Sequence, residues 1–121
     1  MDKHEIYLYS KLFAYSEFEG IDYSMGIALG RLLPLENESY SQFIQKVMNS
    51  NLKLISNEDD IMMYELSPSV FYILHPSGEK VLFMTGTFSI TEYEDVGSEI
   101  DFVTDSREQF DRFYPEVDNG N

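Results

Sequence analysis

The side chain that most often serves as an acid or base near neutral pH is histidine, and this chain offers two, His4 and His75, and no cysteine. His4 reads as an exposed residue in the first turn of a helix. His75 precedes Pro76 at a hairpin corner, where an imidazole more often hydrogen-bonds the turn than moves a substrate proton. No serine stands in a G-x-S-x-G elbow, and there is no H-E-x-x-H, Gly-rich phosphate loop or dinucleotide fingerprint. Serine hydrolysis, zinc proteolysis, NTP hydrolysis and hydride transfer therefore lose their usual sequence support. Paired carboxylates can hydrolyse glycosides, but 22 acidic residues in 121 place some pair at a suitable separation by chance alone. Glu92, Glu94 and Gly97 match positions 1, 3 and 6 of a calcium loop, yet positions 5 and 12 fall on Val96 and Val103, which bring no oxygen ligand. The reading is a non-enzymatic chain with no catalytic residue, no metal site and no cofactor.

Charge is the functional lead. Eight lysines and arginines face 22 acids, a net charge of −14, so direct binding to nucleic acid or to an anionic membrane is electrostatically unfavourable. The absence of cysteine excludes a disulfide scaffold, and Met1 to Ser10 carries charges and tyrosines where a signal peptide or membrane span needs an apolar run. The expectation is a soluble, cytoplasmic protein.

The charge is uneven. Residues 61 to 121 hold 12 acids against Lys80, Arg107 and Arg112, a net −9, whereas residues 1 to 60 carry −5. Averaged over a folded surface the density is about one-fifth that of duplex DNA, so mimicry of nucleic acid requires clustering. The expected partner-binding residues are Glu92, Tyr93, Glu94, Asp95, Glu99, Asp101, Asp105, Glu108 and Asp111. Their target would be a basic surface on a partner protein, such as a nuclease or another nucleic-acid-binding protein. Tyr23, Tyr40, Tyr64, Tyr93 and Tyr114 adjoin or closely follow acids and read either as part of such a face or as core-edge residues with wet hydroxyls. Phe71, Tyr72, Phe83 and Phe88 read as core, because a base-stacking platform needs more positive charge than Lys80 supplies. In size, acidity and lack of catalytic residues the chain resembles, at the level of class only, small inhibitors of phages and mobile elements and bacterial toxin-immunity proteins. The alternative is a small regulatory or adaptor domain, homodimeric through a sheet edge or apolar helix, whose acidity serves solubility.

The elements that would position these residues read as one α+β domain over residues 1–115, followed by a loose acidic tail over 116–121. Asp2 and Glu5 have capping-box spacing ahead of Ile6, Tyr9, Leu12 and Phe13, which predicts a first helix ending by Gly20. Asp22 or Ser24 would cap a second helix carrying Met25, Ala28, Leu29, Leu32 and Leu33 and stopped by Pro34. Ser39 and Gln42 open a third, with Tyr40, Phe43, Ile44, Val47 and Met48 as its stripe. Strands are predicted over Ile61 to Leu66, Val70 to His75, Lys80 to Phe88 with a bulge at Gly86, and Glu99 to Thr104. Asp105 and Glu108 would open a last short helix with Phe110, Phe113 and Tyr114 on one face, before Pro115. The predicted architecture is three N-terminal helices packed on a four-stranded antiparallel meander, followed by that short C-terminal helix. Alternation puts Glu99 and Asp101 on one side of their strand.

Overall fold

The computed structural model describes residues 3–91 and 98–116. It overturns the predicted architecture: among the described residues nine strands form two antiparallel sheets, accompanied by two helices, and the first two predicted helices are β-hairpins. His4–Leu8 (β1) and Lys11–Ser16 (β2) pair across a turn at Tyr9, whose φ of 57° reverses the chain. Along β1 the burial alternates, with His4, Ile6 and Leu8 inside. That two-residue period, written in β-favouring tyrosine and isoleucine, prevails over the helical spacing of Ile6, Tyr9, Leu12 and Phe13. The second predicted helix is the hairpin of Gly20–Asp22 (β3) and Ile27–Arg31 (β4). Asp22 does cap, but it caps a turn: its carboxylate accepts from the Ser24 hydroxyl at 2.9 Å and the Met25 N–H at 3.1 Å. Gly26, at φ +67°, then turns the chain into β4.

The third predicted helix is present as Tyr40–Asn49 (α1), with the reciprocal capping box between Ser39 and Gln42 and with Phe43, Ile44 and Val47 buried. Leu54–Glu58 (β5) precedes the predicted strands, which are Ile61–Glu65 (β6), Phe71–Leu74 (β7), Phe83–Thr91 (β8) and Glu99–Thr104 (β9). They do not form one meander. β7 leaves to pair with β1 in a three-stranded sheet of order β2-β1-β7, and the rest join a six-stranded sheet of order β3-β4-β9-β8-β6-β5. The last helix, Arg107–Phe113 (α2), is capped by Ser106, whose hydroxyl accepts from the Gln109 N–H, and not by Asp105.

Aromatic rings join the layers. Phe13 of β2 lies 5.7 Å from Phe43 of α1, 5.7 Å from Phe71 of β7 and 6.0 Å from Phe88 of β8, so one cluster ties both sheets to the helix. A second cluster sets Phe18 between His4 and Phe102 at 4.9 and 5.1 Å. Phe71, Phe83 and Phe88 are buried, while Tyr72 stacks on Tyr7 at 4.6 Å on the other side of the small sheet. Such ring pairs add about 0.5–1.5 kcal/mol each beyond the area they bury.

At Gly86 β9 crowds β8: a β-carbon there would collide with the Asp101 carbonyl and sit 3.0 Å from Leu66 Cδ2. Gly86→Ala is therefore expected to cost about 1–3 kcal/mol by overpacking, read as a lower urea midpoint at unchanged slope; an unaltered midpoint would contradict the close approach.

Candidate protein-binding face

In β8 and β9 every second residue is committed to the core: Phe88, Ile90, Ile100 and Phe102 are all buried. Strand alternation then turns Thr87, Ser89, Glu99 and Asp101 to the opposite side of the sheet. Pairing extends this outer side into rows. One runs Leu29, Asp101, Thr87, Glu65 across β4, β9, β8 and β6, and the next runs Arg31, Glu99, Ser89, Met63. Asp101 is held in place by Thr87, whose N–H and hydroxyl donate to its two carboxylate oxygens at 3.2 and 3.0 Å. Glu99 and Leu29 are exposed, Leu29 at 42%. Ser89 is buried, and Thr87 and Asp101 are half-buried, so the side chains of Glu99, Leu29 and Arg31 are the parts of this side most open to solvent.

A third row brings in residues that the sequence reading passed over. Glu58 pairs with Ile61, and Ile61 with Thr91, so the β5–β6 turn lies at the same end of the sheet as the exit of β8. That turn holds Asp59 and Asp60 in left-handed conformations, φ 52° and 64°, a conformation aspartate tolerates better than most residues. Two aspartates between two β-rich runs were a hairpin signal in the sequence. Their place in the same sheet as Glu99 was not, since it depends on which strands pair. Glu58, Asp59, Asp60, Glu65, Glu99 and Asp101 sit on this part of the sheet with Arg31 and Lys53 as the basic residues among them.

Tyr40 pins the same end. Its hydroxyl donates to the Thr91 carbonyl at 2.7 Å, lies 2.8 Å from Ser98 Oγ, and accepts from the Thr91 N–H at 3.1 Å. One side chain of α1 thereby clamps the last residue of β8 to the residue before β9.

The predicted site residues divide. Glu92, Tyr93, Glu94 and Asp95 lie outside the described residues. Glu99 and Asp101 are brought together on the outer face. Asp105, Glu108 and Asp111 are exposed but belong with α2, which packs on the Phe102 side of β9 through Phe110 and Tyr114. There the arginines are interleaved: Arg107 reaches Asp111 at 3.3 Å and donates to the Tyr23 carbonyl, and Arg112 grips Glu79 with two hydrogen bonds of 2.8 and 3.3 Å. The Arg112 hydrogen bond holds the Glu79 carboxyl below its ordinary range. The tyrosines are engaged as well. Tyr64 and Tyr114 are buried, and the Tyr23 hydroxyl donates to the Pro115 carbonyl at 3.2 Å.

Both histidines lie at the other end of the core. His4 is buried at 3% exposure on β1, not exposed on a helix, and its Nε2 is 2.7 Å from the Tyr114 hydroxyl, whose ionisation burial pushes well above its ordinary value. His75 accepts from the Ser77 N–H at 3.0 Å and stacks on Phe113 at 3.9 Å, a turn hydrogen bond of the kind its position suggests. Cavities of about 610 and 400 Å³ flank Leu12, Leu35 and Glu38 beside α1. Among the described residues no three His, Asp or Glu side chains are grouped to hold a metal ion, and no helix is long and apolar enough to cross a membrane.

Two outcomes follow from these contacts. Tyr40→Phe should lower stability by about 1–3 kcal/mol and speed hydrogen exchange of the Thr91 amide above all others; an unchanged Thr91 rate would contradict the clamp. Asp22, held below the usual carboxylate range by the Met25 N–H and then by Ser24, contributes stability that is present above its unfolded pKa and lost as pH falls through its depressed one. In an NMR titration Ser24→Ala should move the Asp22 midpoint upward, and a downward or absent shift would count against the turn geometry. Comparisons with family models, curated proteins and solved structures find no match to this chain.

Proposed function

We propose that this chain is a non-enzymatic binding protein that occludes a basic, nucleic-acid-binding surface of a partner protein with the outer face of its six-stranded sheet. The observation that carries the reading is the juxtaposition of Glu99 and Asp101 with Leu29, Val103 and Met63 on the sheet face opposite the core side on which α1 and α2 pack through Phe43 and Tyr114. Among the described residues four acidic side chains, Glu38, Glu65, Glu79 and Asp111, form ion pairs with lysine or arginine. Much of the negative charge is therefore available to a partner.

The physics has two stages. A net charge of −14 raises the encounter rate with a basic cleft, and this steering weakens as salt screens it, with a Debye length of about 10 Å at 0.1 M and about 3 Å at 1 M. Docking then depends on contacts that exclude water. Asp101 enters them already oriented by Thr87 and loses little side-chain freedom on binding, while Leu29, Val103 and Met63 supply apolar area around the carboxylates. The acids of α2 contribute to the long-range field, but Arg107 and Arg112 offset them locally.

Affinity capture from a cell extract on the immobilised chain, at about 0.05 and 1 M salt, tests this. Basic nucleic-acid-binding proteins should be retained at low salt and released at high salt. Glu99→Lys with Asp101→Lys should lose them, while Glu108→Lys with Asp111→Lys retains most of the binding. Retention of only neutral or acidic proteins, or equal losses in both pairs, would contradict the assignment.

A further inference from the structure

Two antiparallel sheets have four edges, and three of these are blunted. The outer side of β2 is closed by Leu33, which exchanges backbone hydrogen bonds with Tyr15 at 2.8 and 2.9 Å. Beyond β7 the returning chain covers the edge, with Val81 N–H on the Ile73 carbonyl and Lys80 opposite Leu74. β3 is only three residues long. β5 is five residues long, ends the six-stranded sheet, and has no described segment on its outer side. It is also apolar where edges are usually charged: Leu54 is 47% and Ile55 49% exposed, and Ile61 on the neighbouring strand is 42% exposed. A register shift at Ile55 interrupts the ladder with β6 and partly blunts this edge too, so a strand added there relies on apolar contact with Leu54 and Ile55 as well as on backbone hydrogen bonds.

The charges at the two ends of β5 are opposite. Lys53, whose side chain is 73% exposed and lies at the long distance of 3.7 Å from Glu65, stands at its start, and Glu58, Asp59 and Asp60 stand at its finish. Antiparallel pairing of this edge with itself sets the lysine end of each strand against the acidic end of the other, twice, by symmetry. The edge therefore complements its own copy, whereas an unrelated strand has no reason to carry the same pattern reversed.

We infer that β5 is a homodimer edge, at which two copies of this chain pair antiparallel about a two-fold axis to make one continuous twelve-stranded sheet. An axis perpendicular to the sheet leaves the outer faces of both copies on the same side, so the dimer presents Glu99 and Asp101 twice. A five-residue edge is about 17 Å long and buries less than the roughly 800 Å² per partner of a standard interface. The dimer is accordingly a dissociable one, in the micromolar range.

Sedimentation equilibrium of the full chain from about 2 to about 500 µM tests this without any partner, so its outcome is independent of the binding reading above. The expected result is a mass rising with concentration from 14.1 kDa toward twice that value. Lys53→Glu and Glu58→Lys should each weaken association about tenfold, and the double variant should recover it to within about threefold. Ile55→Lys should also shift the protein to monomer, with unchanged thermal unfolding as the check on its fold. A monomer mass at every concentration would overturn the inference. So would dimerisation unaffected by the single changes, or single losses that the double variant does not restore.

Discussion

The commitment of alternate residues of β8 and β9 to an aromatic core is the constraint from which the surface of this protein follows. Phe88 packs against Phe13, Phe71 and Tyr64, and Phe102 against Phe18, Phe83 and Tyr114. With those rings fixed inside, a one-residue slip would expose a phenylalanine in either strand and, in β9, bury Glu99 and Asp101, which makes the register strongly specified. Glu99 and Asp101 are therefore on the outer face because Ile100 and Phe102 cannot be. The chemistry of that face is decided by packing behind it.

Electrostatics is then distributed in layers. The basic residues at the α2 end hold structure together: Arg107 ties the helix to the β3–β4 turn through the Tyr23 carbonyl, and Arg112 ties it to Glu79 after β7. Lys46, in the last turn of α1, donates to the Phe13 carbonyl at 2.6 Å, pairs with Glu38 at 2.9 Å, and lies over the rings of Phe13 and Phe43. The exposed arginine pairs are worth little individually, and each neutralises one acid with one cation.

What was legible in the sequence was local. The Ser39–Gln42 box and the stripe behind it mark α1, because a cap and a 3.6-residue period are written within ten residues. The later strands are marked by β-branched and aromatic runs and by Pro and Gly turns. The N-terminal hairpin was misread because HEIYLYSKLFAYS satisfies two periods at once, and the tie is broken by Phe71 and Ile73 of β7, more than sixty positions away, which give β1 a partner. Capping spacing at Asp2–Glu5 and Asp22 added to the error, since aspartate closes turns by the same hydrogen bonds it uses at helix starts. The candidate face was half legible. Alternation gives Glu99 and Asp101, but Glu58, Asp59, Asp60 and Glu65 join them only through the β9-β8-β6-β5 order, which is non-local. Asp111, counted with them from charge density, is taken by Arg107 on the other side of β9.

The claim that the outer sheet face is the binding face is tested most directly by carboxyl footprinting, in which accessible carboxylates are labelled with the chain alone and with a captured basic partner. Glu99 and Asp101 should lose most of their labelling on binding while Glu108 and Asp111 keep theirs. Protection of Glu108 and Asp111 with Glu99 and Asp101 labelled as before would contradict the account.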